Sequence, residues 1–289
     1  MHSIRVAAVS TRNWIGQQAR AIKNMAHWAE KARHQGAEFI LFPELGVNGY
    51  FHSTHTLRVA EPVPGPSTEK LVRLAGRLDA ILCFGILEND ADVVYNTQVV
   101  VNGAGVLGTQ RKIHMPGNEY LFWRSGFAIE PIDIGKARIG IAICYDSLFM
   151  EMARTLYFKG AEILVMPFAY NTPGPRRSLP GRDVGVMTYR VHCASNGCFG
   201  ILANNAGQRR KTKQEGSKIT FPGWAGVFDP EGEVLAWTRQ AGNGEAMVVA
   251  DLDRKRLYDK RRNQYFVPRC LMPSRYATIT ESGPTALDQ

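Results

Sequence analysis

The stretch ARIGIAICYD, residues 137–146, decides the fold class. Ala137 to Ile143 is an almost continuous apolar run of strand length, broken only by Arg138, and it stops abruptly at Cys144-Tyr145-Asp146. A helical pattern follows from about Leu148 to Lys159, then a second apolar strand from Glu162 to Met166. Strands that read as unbroken apolar runs belong in a sheet covered on both faces. Cys144 therefore falls on a strand-to-helix turn.

The same cycle extends outward in both directions. Upstream, Ile4 to Ser10 reads as a first strand, and Gln17 to Gln35 carries Ala19, Ile22, Met25, Ala26 and Ala29 at helical spacing, ended by Gly36. Glu38 to Phe42 is a strand stopped by Pro43, which places Glu44 at a strand end. A helix over Ser67 to Leu78, a strand over Ala80 to Leu87, and a hairpin of Asn96–Val101 with Val106–Arg111 around Asn102-Gly103 bring the chain to Lys112. Downstream come a turn-rich segment to Pro180, a helix over Asp183 to Ser195 and a strand over Phe199 to Ala203. A basic, glycine-containing loop then runs to Gly223, followed by strands at Ala225–Phe228, Val234–Thr238 and Met247–Ala250. The first two of these are joined by the turn Asp229-Pro230-Glu231-Gly232. Hairpins demand antiparallel neighbours, so the expectation is an α/β fold with mixed sheets flanked by helices, in one domain without a linker.

Bulk properties exclude several classes. With 45% hydrophobic and 21% charged residues the chain is globular rather than disordered. Its longest apolar runs fall far short of the roughly 18 residues a membrane span needs, and the first residues read as a strand rather than a leader, so cytoplasmic residence without membrane association is expected. Five cysteines, none in CxxC spacing, suggest reduced thiols and no structural metal. The net charge of +9 is concentrated at 209–213 and 254–262 without interleaved aromatic residues. That pattern favours solvated faces over anionic-substrate steering or nucleic-acid binding.

Glu44, Lys112 and Cys144 thus all follow apolar strands, and strand ends are where reactive groups collect in α/β sheets. A thiol to attack a carbonyl, a carboxylate to move its proton, and an ammonium to lower the thiol pKa and hold the oxyanion form a complete set for acyl transfer.

The segments Phe42-Pro43-Glu44-Leu45, Arg111-Lys112-Ile113-His114-Met115-Pro116 and Gly140-Ile141-Ala142-Ile143-Cys144-Tyr145-Asp146 resemble, in order, the signature segments of the nitrilase superfamily of carbon–nitrogen hydrolases. The resemblance runs from the first strand to about Asp251. It implies a four-layer α-β-β-α sandwich of two mixed sheets over residues 1–265, with a tail at 266–289 at an oligomer contact. It also implies a homodimer or higher homo-oligomer, and no cofactor. Glu44, Lys112 and Cys144 become the triad, Glu119 the second glutamate that holds Lys112, and the backbone N–H of Tyr145 an oxyanion donor. Tyr-Asp after the cysteine resembles the amidase and carbamoylase branches rather than true nitrilases, so a small linear amide or ureide substrate is implied over a nitrile or an inactive scaffold. The KIHMPG segment and Tyr170-Asn171-Thr172-Pro173 resemble N-carbamoyl amino-acid amidohydrolases, which makes His114 and Asn171 substrate-contact candidates. Ser147 and Leu148 stand where that branch carries two arginines that grip a carboxylate, leaving Ser147 to offer a hydroxyl and Arg176 and Arg177 as alternative cations.

Overall fold

The computed structural model describes residues 1–171, 184–209, 219–238 and 244–281. Its strands are β1 (Ile4–Ser10), β2 (Phe39–Leu41), β3 (Ile81–Asp90), β4 (Val93–Asn102), β5 (Gly105–Arg111), β6 (Ile132–Asp133), β7 (Arg138–Ile141), β8 (Ile163–Phe168), β9 (Phe199–Asn204), β10 (Ala206–Arg209), β11 (Ile219–Pro222), β12 (Ala225–Phe228), β13 (Val234–Trp237) and β14 (Ala246–Leu252). The helices are α1 (Gln18–His34), α2 (Thr56–Val59), α3 (Pro66–Leu78), α4 (Met150–Phe158), α5 (Val184–Asn196), α6 (Arg254–Arg262) and α7 (Ala277–Glu281). None of the described helices is long and apolar enough to cross a membrane.

Two six-stranded mixed sheets form, ordered β14-β1-β2-β3-β4-β5 and β13-β12-β9-β8-β7-β6, with β10 and β11 as a separate ribbon. Read from β14 and from β6, both sheets pair antiparallel, parallel, parallel, antiparallel, antiparallel. The period of two along each strand explains the layering. Val6 and Ala8, Phe39 and Leu41, Ile139 and Ile141, and Ile163 and Val165 point into one shared core between the sheets. Their alternates Ala7 and Val9, Ile40 and Phe42 face α1 and α3, while Leu164 and Met166 face α4 and α5. The result is the α-β-β-α sandwich that the strand reading and the resemblance imply.

Several elements are not legible in the sequence pattern, the short helices α2 and α7 among them. β6 is two residues long, β10 and β11 lie inside the segment read as a basic loop, and the β3–β4 turn is Ala91-Asp92, both at positive φ (49° and 66°) without a glycine. The helix expected from Leu148 begins at Met150, because Cys144–Leu148 is a separate 3-10 turn. Beyond α6, Phe266 is buried and packs edge-on against Tyr157, tying the start of the tail to α4.

Candidate active site

Glu44 stands three residues past β2 and is fully buried. The backbone there turns back on itself, with Phe42 N–H donating to the Cys83 carbonyl at 2.8 Å and Leu45 held at φ 49°. Only glycine at 85 leaves room for this turn. A Cβ on Gly85 would sit 2.2 Å from the Leu45 nitrogen and 2.9 Å from the Glu44 carbonyl carbon. Across the sandwich, Asn205 Nδ2 donates to the Glu44 carbonyl at 2.9 Å.

Asn96 on β4 holds two site residues at once: its Nδ2 donates to Glu44 Oε1 at 2.7 Å, and its carbonyl accepts the Lys112 N–H at 2.8 Å. Neighbouring Arg111 is clamped by Glu88 and Asp90 at 2.7 Å each and lies over the Tyr95 ring, which fixes the strand end from which Lys112 departs. Lys112 Nζ then reaches Glu44 Oε1 at 2.9 Å and both oxygens of Glu119, at 3.0 and 2.8 Å, with all three side chains inaccessible. The Tyr50 hydroxyl donates to Glu119 Oε1 at 2.7 Å. Glu44 Oε2 is buried and accepts no hydrogen bond from any described residue. It is the oxygen left to take a proton.

One ammonium between two buried carboxyls cannot neutralise both, and Lys112 is itself held above its usual range by them. Burial, countered by Lys112 and reinforced by Glu44, pushes the Glu119 carboxyl from 4.5 up to about 7. A group with a raised native pKa binds more protons folded than unfolded, so its contribution to stability is present below about pH 4.5 and is lost as pH climbs through about 7. Glu119→Gln, neutral at every pH, should remove that slope. Measured by thermal unfolding, the variant should gain on wild type between pH 5 and pH 8; a difference independent of pH contradicts the assignment.

Cys144 opens the 3-10 turn Cys144–Leu148 at φ 50°, a left-handed conformation that a non-glycine residue keeps only where its surroundings enforce it. Ser147 Oγ donates to the Cys144 carbonyl at 2.5 Å, and the Ser147 carbonyl lies 2.6 Å from His192 Nε2 on α5. Residue Cys144 as a whole is half-buried. Its pKa is nonetheless pushed well above the ordinary value, by burial first and then by Glu44, with Lys112 and a backbone hydrogen bond at Ala169 pulling the other way. Lys112 lowers the thiol pKa, as the sequence reading expects, but desolvation and the facing carboxylate outweigh it.

The fold thus brings Glu44, Lys112, Glu119 and Cys144 into one electrostatically coupled group. His114 stacks on Phe149 at 3.8 Å between ring centroids, with Nδ1 2.8 Å from Asp146 Oδ1, and Tyr145 is partly exposed, edge-on to Phe149. Ser147 is buried and its hydroxyl is spent on the Cys144 carbonyl, so as placed it braces the turn rather than facing a ligand. Asn171 is exposed beyond β8, past Tyr170, which stacks on Trp224. Arg176 and Arg177 lie outside the described residues. Asn96, Tyr50, Asp146 and Asn205 are not singled out by the sequence; an amide within the apolar run of β4 is the one hint for Asn96. Among the described residues no group of three or more His, Cys, Asp or Glu is arranged to hold a metal ion.

The family model for carbon-nitrogen hydrolases matches residues 5–262. A protein named nitrilase from Pyrococcus abyssi (strain GE5 / Orsay) is 29% identical over 270 residues, 90% of this chain and 94% of its own. An N-carbamoylputrescine amidase from Solanum lycopersicum is 30% identical over 80% of each chain, and an omega-amidase from Homo sapiens is 32% identical over 80% of this chain and 82% of its own. Among solved structures, a carbon-nitrogen hydrolase from Helicobacter pylori G27 superposes with a TM-score of 0.84 at 22% identity over 97% of this chain and 99% of that one. An amidase from Nesterenkonia sp. superposes with a TM-score of 0.74 at 21% identity, covering 93% and 96%.

Proposed function

The chain belongs to the carbon–nitrogen hydrolase family and is a hydrolase of amidase type; from that premise we propose that it cleaves a small linear amide or N-carbamoyl compound through a thioester on Cys144. The carrying observation is Glu44, whose Oε1 is held by Lys112 and Asn96 while Oε2 accepts no hydrogen bond from any described residue. Glu44 takes the thiol proton as sulfur adds to the carbonyl carbon. Lys112 and the Tyr145 N–H, at the start of a 3-10 turn whose first donors have no partner within the turn, hold the developing oxyanion. Collapse breaks the C–N bond as Glu44 returns the proton to nitrogen, and ammonia or amine departs. Water, deprotonated by Glu44, then cleaves the thioester and restores the thiol. Each step uses a proton that Glu44 can hold, so no cofactor is invoked.

The substrate should be neutral or amine-bearing. An α-carboxylate near Cys144 would meet the carboxyls of Glu44 and Glu119, with Lys112 already shared between them and only Ser147 and Leu148 where a bidentate arginine pair could have stood. The expected result is higher kcat/KM for neutral or amine-bearing members of matched pairs than for their α-carboxylate counterparts. Amides, N-carbamoyl compounds and nitriles are compared by ammonia release, nitriles because one relative is named a nitrilase. A strong carboxylate preference that survives Arg176→Ala/Arg177→Ala overturns this reading of the pocket.

We take the enzyme to assemble as a homodimer or higher homo-oligomer. Met187 and Val191 on α5, Phe158 on α4, and Val267 and Met272 beyond α6 are all exposed, an apolar set that a second copy would cover, with the tail after residue 265 at the contact. Light scattering reads this directly, and an active, monodisperse monomer contradicts it.

A further inference from the structure

Resting on Cys144 as nucleophile, we propose that Asp146 is a positioning residue that couples the loop carrying Lys112 to the turn carrying Cys144, so that cation and nucleophile are set by one carboxylate. Asp146 is fully buried, and no described lysine or arginine touches it. Its Oδ1 accepts the His114 N–H at 2.7 Å and the Ile113 N–H at 3.2 Å, and lies 2.8 Å from His114 Nδ1. Its Oδ2 faces the Ile113 N–H at 3.3 Å and accepts the Ile143 N–H at 3.2 Å. Ile113 and His114 directly follow Lys112; Ile143 directly precedes Cys144.

The coupling matters because the other hydrogen bonds that hold Lys112 and Cys144 in the backbone come each from its own side, with the His114–Phe149 stack as the apolar contact between the two segments. Lys112 is anchored through its N–H to Asn96 and its carbonyl to the Gly126 N–H at 2.7 Å, both on the first-sheet side. Cys144, at a left-handed φ, is braced by Ser147 and, through the Ser147 carbonyl, by His192, both on the second-sheet side. Asp146 is where those two sets of anchors meet. A carboxylate suits the task because it offers acceptors in every direction that the converging N–H groups approach from. Asparagine cannot replace it, since one of its two ends carries hydrogens and, in either flip, points them at a backbone N–H.

The test uses a Cys270→Ser background, which removes the exposed thiol, while Cys83, Cys193 and Cys198 stay buried. In wild type, iodoacetamide should label Cys144; if it labels another residue with activity retained, the nucleophile assignment itself fails, and that is distinct from failure of the present inference. With Asp146→Asn, kcat should fall about 100-fold, the size expected from misplacing a reacting group by about 1 Å, with KM changed far less. Because Lys112 pulls the thiol pKa down, loosening its loop should also move the pH dependence of Cys144 alkylation upward, which slows alkylation at neutral pH by roughly tenfold. Ser147→Ala, which loosens only the cysteine side, should slow turnover without moving that pH dependence. If Asp146→Asn does not fold, Asp146→Glu is read the same way, since its extra methylene misplaces the acceptors while keeping the charge. A displaced profile with reduced kcat supports the coupling. Reduced kcat with an unmoved profile, or unchanged kcat, overturns it.

Discussion

Cys144→Ala is expected to lower turnover by on the order of 10⁶-fold, the scale seen when a covalent nucleophile is removed from a unit that works together, with a melting temperature close to that of wild type. The thiol lies beside Glu44 and Lys112 and accounts for the only covalent step proposed. Its side chain is small and the residue is only half-buried, so removing the sulfur leaves little cavity. Steady-state ammonia release and a thermal melt read the two halves of the expectation. Activity within tenfold of wild type would remove Cys144 from the mechanism. Mass spectrometry after iodoacetamide should find Cys144 and Cys270 modified, because Cys83, Cys193 and Cys198 are buried, and only modification of Cys144 should track loss of activity.

Gly85→Ala is the second large effect, although residue 85 touches no substrate. Its methyl group would lie 2.2 Å from the Leu45 nitrogen and 2.9 Å from both the Glu44 carbonyl carbon and the Pro43 oxygen, all backbone atoms that cannot swing aside as a side chain would. The turn bearing Glu44 has to retreat. A shift of about 1 Å in a proton-transfer group costs roughly 100-fold, and overpacking of this kind typically destabilises by about 1–3 kcal/mol. The variant should therefore fold with a lowered melting temperature and show kcat reduced about 100-fold or more. Near-normal kcat in a folded Gly85→Ala protein would mean that Glu44 does not need its present position.

The strands before Glu44 and Cys144 are legible as apolar runs that stop short, as Pro43 stops the one at Phe42, and β5 before Lys112 is legible from its hairpin with β4. The layering follows from the same alternation. What sequence cannot deliver depends on tertiary approach. Asn96 reads as one amide in an apolar strand until folding sets Glu44 and the Lys112 N–H on either side of it. Asp146 reads as the tail of a motif until Ile113 and His114 arrive beside it. The net pKa of Cys144 is hidden for a related reason: spacing reveals a nearby cation, which does lower it, but not how much water the fold removes or that Glu44 acts on the same sulfur. Turn chemistry also misleads, since Ala91-Asp92 takes two positive φ angles with no glycine to announce them.

The antiparallel pairing of β1 with β14 joins Ile4 to Leu252 and Ser10 to Ala246. During synthesis at roughly 5–20 residues per second, β1 waits on the order of ten seconds or longer after it is made before its outer neighbour β14 has been made. From the completion of β5 until β14 is made, the first sheet can form from β1 to β5 with β1 uncovered, its free N–H and C=O groups an open edge of the kind that pairs with other chains. The strand that closes the sheet is therefore also the one that ends its exposure, and the yield of soluble protein should be governed by the speed of translation between β5 and β14 rather than before β5.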